Sequence, residues 1–220
     1  MQVISVSVGQ TREIEYEGRT FSTAIFKYAV EGRVAVDKEG IDGDQQADRK
    51  NHGGRDKAVF VYPHEYYAEW ATLLHRDDLA PGSFGENLTV SGLTDDHVRI
   101  GDTLRIGDTV VQISQPRNPC YKLSARLNHA SVLTPYLERG LVGFYVRVLE
   151  PGTVAAGDEI GMIERAAGSV SVRDLSRLYH YQRDNTAGIE QALQIPTLAD
   201  AWREPFEKRL AKLNEMKRSS

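Results

Sequence analysis

A chain of 220 residues with 27 basic and 31 acidic side chains carries a net charge of −4, which speaks against a general nucleic-acid binder. Its 40% hydrophobic content excludes extended disorder, and no run approaches the roughly 20 apolar residues of a membrane-spanning helix. The first residues lack the basic start and apolar run of a secretory signal, and one cysteine excludes an internal disulfide. The cytoplasm is therefore the expected compartment, with neither membrane nor nucleic acid as partner. The charge is uneven: residues 1–165 hold 18 basic and 24 acidic side chains, residues 166–220 hold 9 and 7, which fits a change of domain.

Residues 3–8 alternate, placing Ile4, Val6 and Val8 on one face of a strand and Ser5 and Ser7 on the other. Residues 40–57 form a long, polar, glycine-rich stretch, of the kind that is functional or disordered in compact domains. Asp42, Asp44 and Asp48 imitate a calcium loop, but Gly53 stands where an EF-hand needs its glutamate. His52-Gly53-Gly54 with Arg55 and Lys57 suits an anion, because glycine N–H groups approach a phosphate closely and the cations neutralise it. A plain surface loop explains that stretch about as well. The apolar residues 58–61 anchor its end as a strand, and Pro63 fits the first turn of a helix over about 63–75. Tyr67, Trp70, Ala71 and Leu74 then make one apolar stripe for the core. A second polar loop, 81–89, offers its glycines and Asn87 for hydrogen bonding, or is an ordinary β-turn.

Residues 104–106 and 109–113 read as a hairpin around Gly107-Asp108. A strand over 143–149 closes in a type II turn at Glu150-Pro151-Gly152-Thr153, and a last strand spans 158–164. After Gly168 the period becomes helical. Segments near 171–181, 186–194 and 198–213 follow, with Ser171 and Thr197 as N-caps and Pro205 kinking or restarting the last; residues 214–220 form a flexible tail. Near-neutral charge makes this a packing or docking module sooner than a DNA-reading helix-turn-helix unit. The whole reads as a β-rich α+β protein, a barrel or folded-over sheet over 1–165 followed by three helices over 168–213.

Cys120 sits in Gln115-Pro116-Arg117-Asn118-Pro119-Cys120-Tyr121-Lys122-Leu123. Two prolines stiffen its approach, Arg117 and Lys122 lie within three residues, and a helix from Tyr121 past Leu127 puts it near a helix N-terminus. Nearby positive charge and the helix dipole both favour the thiolate. Such a lone cysteine is an inert core thiol, a nucleophile, or a single thiolate ligand to a metal that brings its other ligands. Composition favours the first and the cationic neighbourhood weakens it. The six histidines show no metal-ligand spacing, and only His52 has glycine-rich company. There is no G-x-S-x-G elbow, Walker loop or strand–G-x-G-x-x-G–helix unit.

These pieces together resemble the MOSC family, named for the C-terminal domain of molybdenum cofactor sulfurase, in its YiiM-like, hydroxylaminopurine-resistance branch. The matching residues are Gly43-Asp44-Gln45-Gln46-Ala47-Asp48, His52-Gly53-Gly54, Asp56-Lys57-Ala58, Phe84-Gly85-Glu86-Asn87-Leu88, Gly101-Asp102 with Arg105, the segment from Gln115 to Leu123, and Arg147-Val148. Residues 168–213 resemble the three-helix extension of that branch. One departure is Pro63-His64-Glu65-Tyr66-Tyr67, where the branch commonly reads Pro-x-Glu-His-Tyr.

The resemblance implies a MOSC-type β-barrel with peripheral helices, binding the molybdenum cofactor with Cys120 as thiolate ligand to molybdenum. A single soft protein ligand is enough there, because the cofactor's pyranopterin dithiolene supplies two sulfurs. The pterin carries a phosphate, which makes His52, Gly53, Gly54, Lys57, Glu86, Asn87, Arg117, Asn118 and Lys122 the expected cofactor contacts. The implied reaction reduces hydroxylaminopurine-type bases, hydroxylamines or amidoximes to amines, with electrons from an external flavoprotein or iron–sulfur donor, since the chain has no flavin or iron–sulfur motif. The alternative is a cofactor carrier or sulfur-transfer module bearing a persulfide on Cys120. The oligomeric state is left open.

Overall fold

The computed structural model describes residues 1–48 and 53–218. Short runs rich in β-branched and aromatic residues become strands: β1 (Gln2–Val8), β2 (Arg12–Tyr16), β3 (Arg19–Thr23), β4 (Tyr28–Ala29), β5 (Val34–Asp37) and β6 (Gly40–Ile41). A 3₁₀ turn, Arg55–Lys57, leads into β7 (Val59–Pro63), α1 (Tyr66–Leu74) and β8 (Leu88–Ser91). Then come β9 (Thr103–Ile106), β10 (Thr109–Pro116), α2 (Tyr121–Leu127), α3 (Leu133–Arg139), β11 (Phe144–Glu150), β12 (Gly152–Val154) and β13 (Ile160–Glu164). The chain closes with α4 (Val172–His180), α5 (Thr186–Leu193) and α6 (Asp200–Arg218).

Eight strands form the main sheet in the order β13-β9-β10-β11-β7-β8-β1-β4, with β12-β5-β6 and β2-β3 as two smaller sheets. Every pair in the main sheet is antiparallel except β7–β8, whose parallel register requires a crossover, supplied by α1. The hairpin expected around Gly107-Asp108 is present, with Ile106 paired to Thr109. Gly107 has φ 56°, and a Cβ there would stand 2.3 Å from Asp158 Oδ2, so the turn requires glycine.

The expected barrel does not close among the described residues. One isolated bridge, Gln2–Glu159, and the bonds Val3 N–H to Asp158 O and Ile160 N–H to Met1 O, both 2.9 Å, bring β1 beside the approach to β13. The edge of β1 away from β8 is shared, since β4 pairs with Ser7 and Val8, and no ladder runs its length. The result is a folded-over open sheet.

Other local expectations change for identifiable reasons. A register shift between Val3 and Ser5 breaks the alternation of β1, so Val3, Ser5, Val6 and Ser7 are buried and Ile4 is exposed. Pro63 ends β7 instead of opening a helix. Gly152 lacks the positive φ of a type II turn, and the chain continues extended into β12, which pairs with β5. Ser171 caps α4 by accepting from Asp174 N–H (3.0 Å), but Thr197 caps nothing, and α6 starts three residues later at Asp200. Pro205 lies near the start of an unbroken α6, and the expected flexible tail is helical through Arg218.

The helical extension is fastened to the sheet. Val172 N–H bonds Val98 O (3.0 Å), Ala199 N–H bonds Ser114 O (3.3 Å), and Arg147 Nη2 donates to Thr197 O (2.9 Å). Leu175, Leu178, Trp202 and Phe206 are buried, so these helices cover apolar surface.

Tyr66, at the departure from the family pattern, is buried in this junction, and its hydroxyl accepts from Asp95 N–H at 2.9 Å. The Asp95 carboxylate is fully buried; its Oδ2 accepts from Val142 and Gly143 N–H, both 2.9 Å. Burial raises its pKa to about 7, against the pull of those two amides and of Arg173. In the unfolded chain the group ionises near 3.8, so the folded state holds the proton more tightly. The stabilising contribution is full below pH 3.8 and is lost as pH rises through about 7. Urea unfolding at several pH values should show Asp95→Asn gaining a few kcal/mol on the native chain between pH 4 and 7. Parallel pH profiles would show that Asp95 is already ionised in the fold.

Candidate functional site

Residues 117–120 join β10 to α2, and one side of this segment walls a pocket. Cys120 is the N-cap of α2, half-buried, in extended backbone geometry with its carbonyl accepting from Leu123 N–H at 2.8 Å. Arg117, Cys120 and Lys122 line the pocket together. Across from them stand Lys57, carried by the 3₁₀ turn, and Gly85 and Asn87 from the 81–89 loop.

Arg117 is buried and held on both sides. Its backbone N–H bonds Gly143 O (3.0 Å), and its Nη1 donates to the Tyr136 hydroxyl (3.1 Å), which donates to Val142 O (2.6 Å). Its guanidinium lies 4.8 Å from the centre of the Phe60 ring. Burial works against its charge, yet Tyr136, Tyr145 and Cys120 around it raise its pKa above the usual guanidinium value. Burial also lowers the pKa of half-buried Lys57, with Asp48 and Asp56 acting in the opposite sense. Asp56 pairs with Arg147 (2.8 Å), the residue that also holds the Thr197 carbonyl, so the turn carrying Lys57 is tied to the extension.

Asn87 stitches the pocket floor: its Nδ2 donates to Ser7 O (3.3 Å) and Asp44 Oδ2 (2.9 Å), and its Oδ1 accepts from Phe60 N–H (3.1 Å). Glu86 faces the other way. Its carboxylate is fully buried off the pocket, accepting from Gly82 N–H (2.8 Å), Phe84 N–H (3.1 Å), Thr89 Oγ1 (2.8 Å) and the Tyr67 hydroxyl. It therefore shapes the loop that carries Gly85 and Asn87. Gly85 has φ 82°, and a Cβ there would lie 2.5 Å from Ile25 Cγ1, which explains a glycine at the pocket wall.

Of the remaining expected contacts, Gly53 and Gly54 are half-buried and Asn118 is exposed, and none of the three lines the pocket. His52 lies outside the described residues. Several lining residues carried no local signal. Lys27 is buried and ion-paired with Asp44, whose carboxylate also accepts Gly9 N–H at 2.7 Å. Phe60 and Tyr145 are neighbours on β7 and β11, with ring centres 5.1 Å apart, and read from sequence as strand core. Lys57, Arg117 and Lys122 line the pocket beside the Lys27–Asp44 pair and Asp48, and cations of this kind suit a phosphate.

The family model described as "MOSC domain" matches residues 48–161, and the model "YiiM-like, 3-alpha helix domain" matches residues 170–213. The uncharacterized protein YflK of Bacillus subtilis (strain 168) is 40% identical over 96% of this chain and 95% of its own length. The crystal structure of YiiM from Geobacillus stearothermophilus superposes with a TM-score of 0.82 at 36% identity, covering 95% of this chain and 98% of that one. A protein of Gibberella moniliformis (strain M3125 / FGSC 7600) named "Reductase" is 32% identical over 81% of this chain, which corresponds to 32% of that longer protein. This chain belongs to the MOSC family, in the YiiM-like branch whose MOSC domain is followed by three C-terminal helices.

Proposed function

We propose that this protein holds a molybdenum cofactor in the Cys120 pocket and reduces N-hydroxylated compounds to amines. MOSC domains in general are associated with that cofactor, and a relative bears the name reductase. The observation that carries the reading is the donor set: one thiol beside Lys57, Arg117 and Lys122 in a single pocket. Among the described residues no group of three or more His, Cys, Asp or Glu side chains could hold a bare metal ion. A metal here must bring ligands of its own, which a dithiolene-bearing pterin phosphate does.

Cys120 Sγ would be the protein's ligand to molybdenum. Lys57, Arg117 and Lys122 would hold the phosphate, and Asn87, its amide committed to Ser7, Asp44 and Phe60, would fix the wall that the pterin meets. When bound, the cofactor supplies the two-electron chemistry for cleaving an N–O bond. The reaction balances as R–NH–OH + 2 e⁻ + 2 H⁺ → R–NH₂ + H₂O, with electrons from a flavoprotein or iron–sulfur donor.

The test is anaerobic single turnover of cofactor-loaded protein with a chemical reductant and 6-hydroxylaminopurine. One amine formed per bound cofactor is the expected result. Transfer of cofactor or sulfur to an acceptor, without amine, would make the protein a carrier instead.

A further inference from the structure

Two aromatic side chains stand just outside this pocket and belong to none of the arrangements above. Tyr121, the first residue of α2, lies between Cys120 and Lys122, which both line the pocket, and is 46% exposed. Phe21 lies on β3 two residues before Thr23, another lining residue, so strand alternation puts both on one face. The Phe21 and Tyr121 rings meet with centroids 4.8 Å apart and planes at 77°, making a nearly right-angled corner. Strands β2 and β3 form a two-stranded sheet of their own, outside the main sheet, so the main core does not require an aromatic at position 21. The rim continues with exposed Tyr28, next to the lining residue Lys27, and with Arg126, one helical turn after Lys122, over the Phe26 and Tyr28 rings at 5.2 and 5.9 Å.

A cofactor filling the pocket leaves its mouth, beside Cys120, as the place for substrate. A flat ring laid on one wall of the corner meets the other wall edge-on, and aromatic rings favour both contacts. An aliphatic N-hydroxy compound has no ring face to offer. We propose that Tyr121 and Phe21 form a stacking subsite for the ring of a heteroaromatic N-hydroxylated substrate. The subsite makes the protein prefer an N–OH group borne by an aromatic ring over one on an aliphatic chain. The inference rests on the reductase reading of the same pocket.

The experiment compares cofactor-loaded full-length protein with Tyr121→Ala, Phe21→Ala and Tyr121→Phe. For each, kcat/KM is measured with 6-hydroxylaminopurine and with acetamidoxime, and the affinity for adenine, the aromatic product, is measured by calorimetry. Base–aromatic stacking predicts that the purine-to-acetamidoxime preference falls about tenfold or more in Tyr121→Ala. A smaller fall is expected in Phe21→Ala, Tyr121→Phe should retain most of the preference, and adenine affinity should fall in step. An unchanged preference in both alanine variants overturns the subsite, as does Tyr121→Phe behaving like Tyr121→Ala. If the native protein reduces neither compound, the reductase reading fails and adenine affinity decides the subsite: loss in Tyr121→Ala supports it, equal binding overturns it.

Discussion

Cys120→Ser should lose turnover by well over about a hundredfold while the fold is unchanged. Even outer partners of metal ligands cost 10- to 100-fold when removed, and a serine oxygen is a harder, far less acidic donor than a thiolate. Cys120 is half-buried, and serine keeps nearly its size and the backbone carbonyl that accepts from Leu123 N–H. The measurement is steady-state reduction of an N-hydroxylated base, normalised to bound cofactor, with circular dichroism as the control for folding. Equal turnover at equal loading would return Cys120 to the role of a small core side chain.

Asp44→Ala should act on stability, lowering it by about 3–5 kcal/mol, the range for removing one partner of a buried ion pair. The variant strands the Lys27 ammonium in a wall where both side chains are almost wholly buried. It also removes the acceptor for Gly9 N–H and Asn87 Nδ2, which link β1 to the 81–89 loop. Burial already lowers the Lys27 pKa, with Asp44 opposing that shift, so without Asp44 the lysine would tend to shed its proton. Lys27→Ala combined with Asp44→Ala should recover part of the loss, since no charge is then left unpaired. Denaturant melts of both variants beside the native chain check this; an Asp44→Ala cost below about 1 kcal/mol would mean that water reaches the pair.

The parts of the fold legible in sequence are those whose cause is local. Gly107-Asp108 makes its hairpin because a two-residue turn needs the positive φ that glycine supplies, and Ser171 caps α4 because its hydroxyl reaches Asp174 N–H three residues on. Where the outcome depends on distant partners, local signals mislead. Pro151-Gly152 carries a turn signature, but β12 is drawn on to pair with β5, more than a hundred residues earlier. The alternation of β1 is overridden by a bulge set against β8, and its other edge is divided, with β4 at Ser7 and Val8 and the approach to β13 at residues 1–3. No single run announces α3, whose Tyr136 matters through its bond to Arg117.

The same division runs through the pocket. Arg117, Cys120 and Lys122 are neighbours in sequence, so their shared chemistry was visible at once. Lys27, Phe60 and Tyr145 lie on separate segments that meet only when the sheet assembles. Glu86 shows the opposite error: a carboxylate beside Asn87 looks like a ligand group, and the structure turns it inward to hold its own loop.

Cys120 Sγ as a ligand to molybdenum brought by a pterin can be observed at the metal itself. X-ray absorption at the molybdenum edge, on protein purified with its cofactor and on Cys120→Ser loaded with the same cofactor, tests it without reference to turnover. One molybdenum and one pterin per native chain are expected, with one more sulfur neighbour at the metal than in the variant. Equal sulfur counts in the two proteins, or native protein that retains no molybdenum, would contradict it.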